Sequence, residues 1–226
     1  VTVLDLQTIL NNLGYSLVLD GDYGPKTRSA LLTCLTDGTD DALRSVDIAE
    51  AASKLKVDSA KIWAVWDVEA ASRPFIDGRP AILFEPHIFS RLTKHRFDRA
   101  YPSISSRSWN RKLYPGSQEG RWNQLLLATG LDVDAGLSSA SYGGFQILGA
   151  NYRVCGFSNP WDFVYAQSRS EGEQLRAFVN FVIANKLDRH LQAGNWAAFA
   201  KGYNGPAYKE NKYDEKLAKA YRNRLR

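Results

Sequence analysis

Methionine is absent from the 226 residues, cysteine occurs twice, proline 8 times and glycine 17 times. Each scarcity removes a class of protein. Two cysteines, Cys34 and Cys155, in no CxxC arrangement, cannot supply a disulfide framework and are expected as buried thiols. Too little glycine and proline is present for a collagen-like or low-complexity chain, and 12% aromatic residues argue against disorder. No apolar run approaches the roughly 20 residues needed to cross a bilayer. The missing methionine points to a chain without its initiator. Val1–Leu10 holds no basic segment followed by a small-residue cleavage site, so no signal peptide is expected.

What is present suits a folded chain of one or two domains. The net charge of +5 fits an anionic partner, with nucleic acid, anionic lipid and bacterial cell wall all compatible. That charge is unevenly placed. Residues 1–40 carry two basic and five acidic side chains, and the excess of positive charge lies beyond them. Val3, Leu6, Ile9, Leu10 and Leu13 recur at helical spacing up to Gly14. The turn-rich Asp20-Gly21-Asp22-Tyr23-Gly24-Pro25 then leads into a second helix with Pro25 at its start. Thr36–Asp41 reads as a linker, which puts a boundary near residue 40. A helix pair of that size is marginal alone and is expected to pack on the larger part, 41–226. There the pattern predicts helices over 46–55, 59–71, 174–187, 196–201 and 214–225. A turn at Asp77-Gly78 and a short strand at 81–84 complete it. The fold class is therefore mainly α with a small β element.

Two segments carry candidate chemistry. In Lys61–Glu69 the glutamate falls on the same helix face as Ile62, Val65 and Trp66. A carboxyl held against apolar neighbours ionises with difficulty, which is what a general acid needs near neutral pH. The alternative is a helix-end glutamate paired with Arg73 or Arg79. The second segment, Leu137–Gly149, sets Ser141, Gly143 and Gly144 around Gln146. Paired glycines allow close approach of a ligand to the backbone, and the Gln can donate and accept hydrogen bonds to a sugar. The spacing is not that of a phosphate-binding loop.

Taken together and in order, Val68-Glu69-Ala70-Ala71-Ser72, Gly78–His87, Ser139–Asn151 and Lys201-Gly202-Tyr203-Asn204-Gly205-Pro206 resemble the N-acetylmuramidase family of phage endolysins. They also resemble the wider goose-type lysozyme and lytic transglycosylase superfamily. Leu6-Gln7, Leu13-Gly14-Tyr15 and Asp20–Thr27 resemble the peptidoglycan-binding domain that often accompanies such enzymes. The resemblance implies a lysozyme-like catalytic domain over 41–226 behind a wall-binding module over 1–40, where Asp20, Gly21, Tyr23 and Thr27 would take part. It implies Glu69 as the acid that protonates the oxygen leaving N-acetylmuramic acid. Gln146, Tyr203, Asn204 and Ser141 would contact substrate. No metal or cofactor is implied. Peptidoglycan is the expected partner, nucleic acid is not, and a monomer is expected. The enzyme would stay in the host cytoplasm until release and then act on the wall.

Glycosidases usually employ two carboxylates. Asp77 and Glu85 are the candidates for the second. The Glu-x8-Asp-x5-Thr pattern of other phage lysozymes fails, since position 78 is Gly and position 84 is Phe. Hydrolysis and the transglycosylase route, in which the sugar's own hydroxyl attacks, both stay open, and a non-catalytic wall-binding protein is the rival from another class. His87 is expected as a packing residue. Trp109, Tyr114 and Trp122, interleaved with Arg107, Arg111, Lys112 and Arg121, suit either sugar stacking or a half-buried loop. The basic tail 216–226, with Leu217, Tyr221 and Leu225 on one face, suits an anionic membrane surface or docking on its own domain.

Overall fold

Thr2 opens the first helix with a reciprocal cap, its hydroxyl accepting from the Asp5 N–H at 3.1 Å while the Asp5 carboxylate accepts from the Thr2 N–H at 2.7 Å. A computed structural model describes residues 1–70 and 73–226. In chain order its elements are α1 (Val3–Asn12), α2 (Pro25–Thr36), α3 (Ser45–Leu55), α4 (Ser59–Glu69), β1 (Phe75–Ile76), β2 (Arg79–Pro80), β3 (Ile82–Phe84), α5 (Pro86–Leu92), α6 (Gln118–Leu131) and α7 (Val133–Ser138). There follow β4 (Ala140–Tyr142), β5 (Ile147–Leu148), α8 (Pro160–Gln167), α9 (Glu171–Ala184), α10 (Asp188–Gln192), α11 (Trp196–Asn204) and α12 (Tyr213–Arg224). The predicted helices are present within a few residues at their ends. Ala71 and Ser72, which close one of the motif blocks, lie outside the described residues.

The mainly α fold holds two small antiparallel sheets. Asp77 and Gly78, both at positive φ, make the two-residue turn joining β1 to β2. The second sheet has the order β3-β4-β5. Leu83 pairs with Ser141 and Ser141 with Leu148, and all three are half-buried, whereas Ile82, Phe84, Ala140, Tyr142 and Ile147 on the other face are buried. The alternation gives the sheet one core face and one open face. Gln118 closes the outer edge of β3, its amide bonding both the N–H and the carbonyl of Ile82.

The first forty residues pack on the rest, as their size requires. Leu6, Leu10, Leu31 and Leu35 belong to the same hydrophobic cluster as Trp122, Phe178 and Leu217. Arg28 bonds Asn123 of α6 at 2.8 Å, and Tyr23 lies against Gly130, where a Cβ would meet its ring at 2.6 Å. The segment read as a linker is tied down. Asp41 bridges to Ser170, its carbonyl accepts from Glu171 N–H at 3.0 Å, and Arg169 reaches the Cys34 carbonyl at 2.6 Å.

Within the helix pair, Gln7 is almost fully buried and organises the turn. Its Nε2 donates to Asp20 Oδ1 (2.8 Å), the Asp22 carbonyl (3.0 Å) and Thr27 Oγ1 (3.2 Å), and its Oε1 accepts from Gly21 N–H (2.9 Å). Asp20, Gly21 and Thr27 are thus gathered around Gln7, while Tyr23 is sent to the boundary with α6. Gln7→Ala leaves the buried Thr27 hydroxyl without its amide donor and removes the ties to Asp20, Gly21 and Asp22, and urea denaturation should register a loss of about 1–3 kcal/mol.

Of the two placements that the tail sequence allows, docking is the one observed. Leu217 is fully buried, Tyr221 donates to Asp58 at 3.0 Å, and Arg224 grips Asp67 with two bonds of 2.8 and 2.6 Å while lying over Trp63. Leu217 and Tyr221 of the apolar stripe face α4, whereas Leu225 at its end is exposed, as are Lys216, Lys219 and Arg222.

Candidate active site

Glu69 is the last residue of α4, and its side chain enters a cleft of about 410 Å³ lined by Phe145, Gln146, Leu148, Tyr203, Asn204 and Tyr213, among others. The helix is amphipathic as its spacing predicts. Ile62 and Val65 are buried, and half-buried Trp66 meets Phe145 edge-on at 5.3 Å. Phe145 in turn stacks on Phe178 at 4.1 Å. Burial in this surround pushes the Glu69 carboxyl up to about 7, against a smaller opposing pull from the Lys216 ammonium. Among the described residues no arginine is bonded to it. The guanidinium of Arg79 sits instead over Trp122, 5.7 Å from the ring centroid, and Arg73 is exposed.

Asn204, at the end of α11, donates Nδ2 to both carboxyl oxygens of Glu69 at 3.2 Å. Its Oδ1 is buried with no partner among the described residues. Gln146 spends both N–H groups on backbone carbonyls, Gly143 at 2.7 Å and Ala81 at 3.1 Å. Because both recipients are acceptors, the amide orientation is unambiguous, and only Oε1 is left for a ligand. Tyr203 donates its hydroxyl to the Phe145 carbonyl at 2.8 Å and stacks on Phe199, so it fixes the hairpin loop.

The glycines act differently from the sequence expectation. Gly143 and Gly144 are buried and approached by protein, not by solvent-accessible space. A Cβ on Gly143, which sits at φ +70°, would lie 2.4 Å from the Gln174 side chain, and one on Gly144 would lie 2.8 Å from the Ala70 Cβ. Their smallness lets the loop close on the end of α4 beside Glu69. Gln174, which accepts from Gly144 N–H at 2.8 Å, completes that junction and carried no signal in the sequence. Asn151, Phe181 and Asn211 also line the cleft without having been singled out.

The four cleft residues Glu69, Gln146, Tyr203 and Asn204 are therefore brought together from three distant segments. Ser141 lies on the open face of the sheet, one strand from Leu148. The two candidates for a second carboxylate are placed elsewhere. Asp77 occupies the β1–β2 turn, beside Gly78, which packs on Thr36. Glu85 follows β3 at the far edge of the other sheet, where it accepts from Tyr114. Among the described residues Glu69 is the only carboxylate lining the cleft. A larger groove of about 620 Å³ between α3 and α9 is lined by the ion pairs Arg44–Asp47 and Arg176–Glu173, which satisfy each other.

A helical scaffold around a small antiparallel sheet, with a half-buried helix-end glutamate facing a polar cleft, is the architecture of lysozyme-like enzymes. The profile of the N-acetylmuramidase family matches residues 58–224, and the chain belongs to that family, a family of peptidoglycan hydrolases. The crystal structure of the Burkholderia AP3 phage endolysin is similar, with a TM-score of 0.76 and 33% sequence identity over 99% of this chain and 95% of that one. No curated protein sequence matches.

Proposed function

We propose that the chain cleaves the β-1,4 bond between N-acetylmuramic acid and N-acetylglucosamine, with Glu69 as general acid. The observation that carries this reading is a carboxyl raised to about 7 in a cleft whose lining offers no second carboxylate. Glu69 gives its proton to the glycosidic oxygen as the bond to the anomeric carbon breaks. Asn204 Nδ2 then stabilises the carboxylate left behind. Gln146 Oε1 is an acceptor suited to an attacking water or to an N-acetyl N–H. The Asp20–Thr27 turn around Gln7, beside exposed Val18, is read as the wall-binding face of a 1–40 module, and the chain acts as a monomer on the wall.

The lytic transglycosylase route needs the same acid and so remains the second reading, favoured by the lone carboxylate. Mass spectrometry of digested, purified peptidoglycan separates them. Hydrolysis leaves muramic acid with a free reducing end, whereas attack by the sugar's own hydroxyl leaves 1,6-anhydro ends. Products cut on the glucosamine side, or at peptide bonds, would overturn the assignment.

A further inference from the structure

Away from the Glu69 cleft, a second group of chemistry-bearing side chains gathers where β3 runs into α5. Tyr114 donates its hydroxyl to Glu85 Oε2, and His87 Nδ1 lies 3.4 Å from both groups. Burial and the neighbouring Glu85 carboxylate hold the Tyr114 phenol protonated well above its ordinary range, so it stays a donor. Glu85 Oε1 has no partner among the described residues. Trp109 leans on Tyr114 with ring centroids 5.8 Å apart and is 63% exposed, in contrast to Trp122, which is 2% exposed in the core.

The loop that carries Trp109 is held in place. Gln124 Nε2 bonds the carbonyls of Ser103 (3.0 Å) and Leu113 (2.8 Å), and Asp98 accepts from Ser90 (2.7 Å) and Ser105 (2.6 Å). An exposed indole on an anchored loop, joined through Tyr114 to the half-buried Glu85 carboxylate, offers an apolar platform and an acceptor. A pyranose ring needs both, one for its C–H face and one for a hydroxyl or amide N–H.

The open face of the sheet joins this cluster to the cleft. Leu148 lines the cleft, Ser141 is its neighbour on β4, Leu83 is the next on β3, and Glu85 follows two residues on, its N–H still bonded to the Ser139 carbonyl at 2.8 Å. Two strand spacings and two residues of rise put Glu85 about 12 Å from Leu148, the reach of a short oligosaccharide. We infer that Trp109, Tyr114 and Glu85 form a saccharide subsite that grips the glycan strand at a distance from the bond being cut, with the Leu83–Ser141 face as the track between. This rests on the glycan-cleaving reading of the Glu69 cleft.

The test compares wild type with Trp109→Ala and Trp109→Tyr, using isolated glycan strands and an N-acetylmuramic acid–N-acetylglucosamine disaccharide, which is too short to span both sites. Trp109→Ala should raise KM on strands about tenfold, as loss of an aromatic anchor does. It should leave kcat and the disaccharide rate within twofold, and Trp109→Tyr should recover most of the loss. Equilibrium binding of strands to Glu69→Gln and to Glu69→Gln/Trp109→Ala repeats the comparison without hydrolysis. An unchanged KM and unchanged binding would overturn the subsite. Binding weakened by the indole loss in a protein that cuts no glycan would uphold the subsite and sink the catalytic reading instead.

Discussion

Glu69→Gln should lower lysis of purified wall by at least about 100-fold while binding to sacculi is retained, because the swap keeps the volume and one of the two oxygens that accept from Asn204 but removes the transferable proton. The same substitution should stabilise the protein in a pH-dependent way. The carboxyl's ordinary value is 4.5 and its folded value about 7, so the native state binds this proton more tightly than the unfolded chain. Below about pH 4.5 the group is protonated in both states and costs nothing. As pH rises through the window from 4.5 to 7, the unfolded chain releases the proton first, and stability falls. Above about 7 the cost is constant, at most roughly 3 kcal/mol at about 1.4 kcal/mol per pKa unit. Urea denaturation should therefore find Glu69→Gln more stable than wild type near pH 8, with the gap closing near pH 4. Activity of wild type should decline above pH 7 as the acid ionises. A variant that is fully active, or equally stable across that range, would refute a buried acid at this position.

Leu217→Ala should have a large effect although it lies outside the cleft. Leu217 is fully buried where α12 lies on α4, and truncation of such a leucine costs about 2–5 kcal/mol. Its consequence for chemistry follows from what α12 supports. Tyr221 and Arg224 hold Asp58 and Asp67 at the two ends of α4, and Glu69 stands two residues beyond Asp67. Loosening that contact admits water to the end of α4, and better solvation lowers the Glu69 carboxyl from about 7 toward its ordinary 4.5. Less of it is then protonated at neutral pH. The pH–activity curve should shift toward acid, with a larger loss at pH 7 than at pH 5. A uniform loss across pH, matching only the fraction unfolded, would show that α12 matters for stability alone.

The features legible in the sequence were those written in short stretches of chain. Glu69 stood out because helix periodicity places it with Ile62 and Val65, and Asp77-Gly78 because a two-residue turn demands those residues. Trp109 and Trp122 could not be told apart by composition. What separates them is that Trp122 shares a buried helix face with Leu125 and Leu126, and α6 was not read as a helix in that aromatic and basic stretch. The roles of Gly143, Gly144 and Gln174 depend on an approach between segments some 30 to 70 residues apart, which no local pattern encodes. Asn204 lay beside a recognised motif, but its grip on Glu69 spans 135 residues. The position of Glu85, sixteen residues past Glu69 and yet across a sheet from it, is likewise a matter of strand pairing.

The tie between Asp41, Cys34 and the α8–α9 junction has a mechanical meaning. In the proposed division of labour, the foothold on the wall and the blade that severs it are braced to one another. Such an enzyme works like a calliper rather than a tethered knife: where it stands determines which linkage it can reach, and to cut elsewhere it must let go and step.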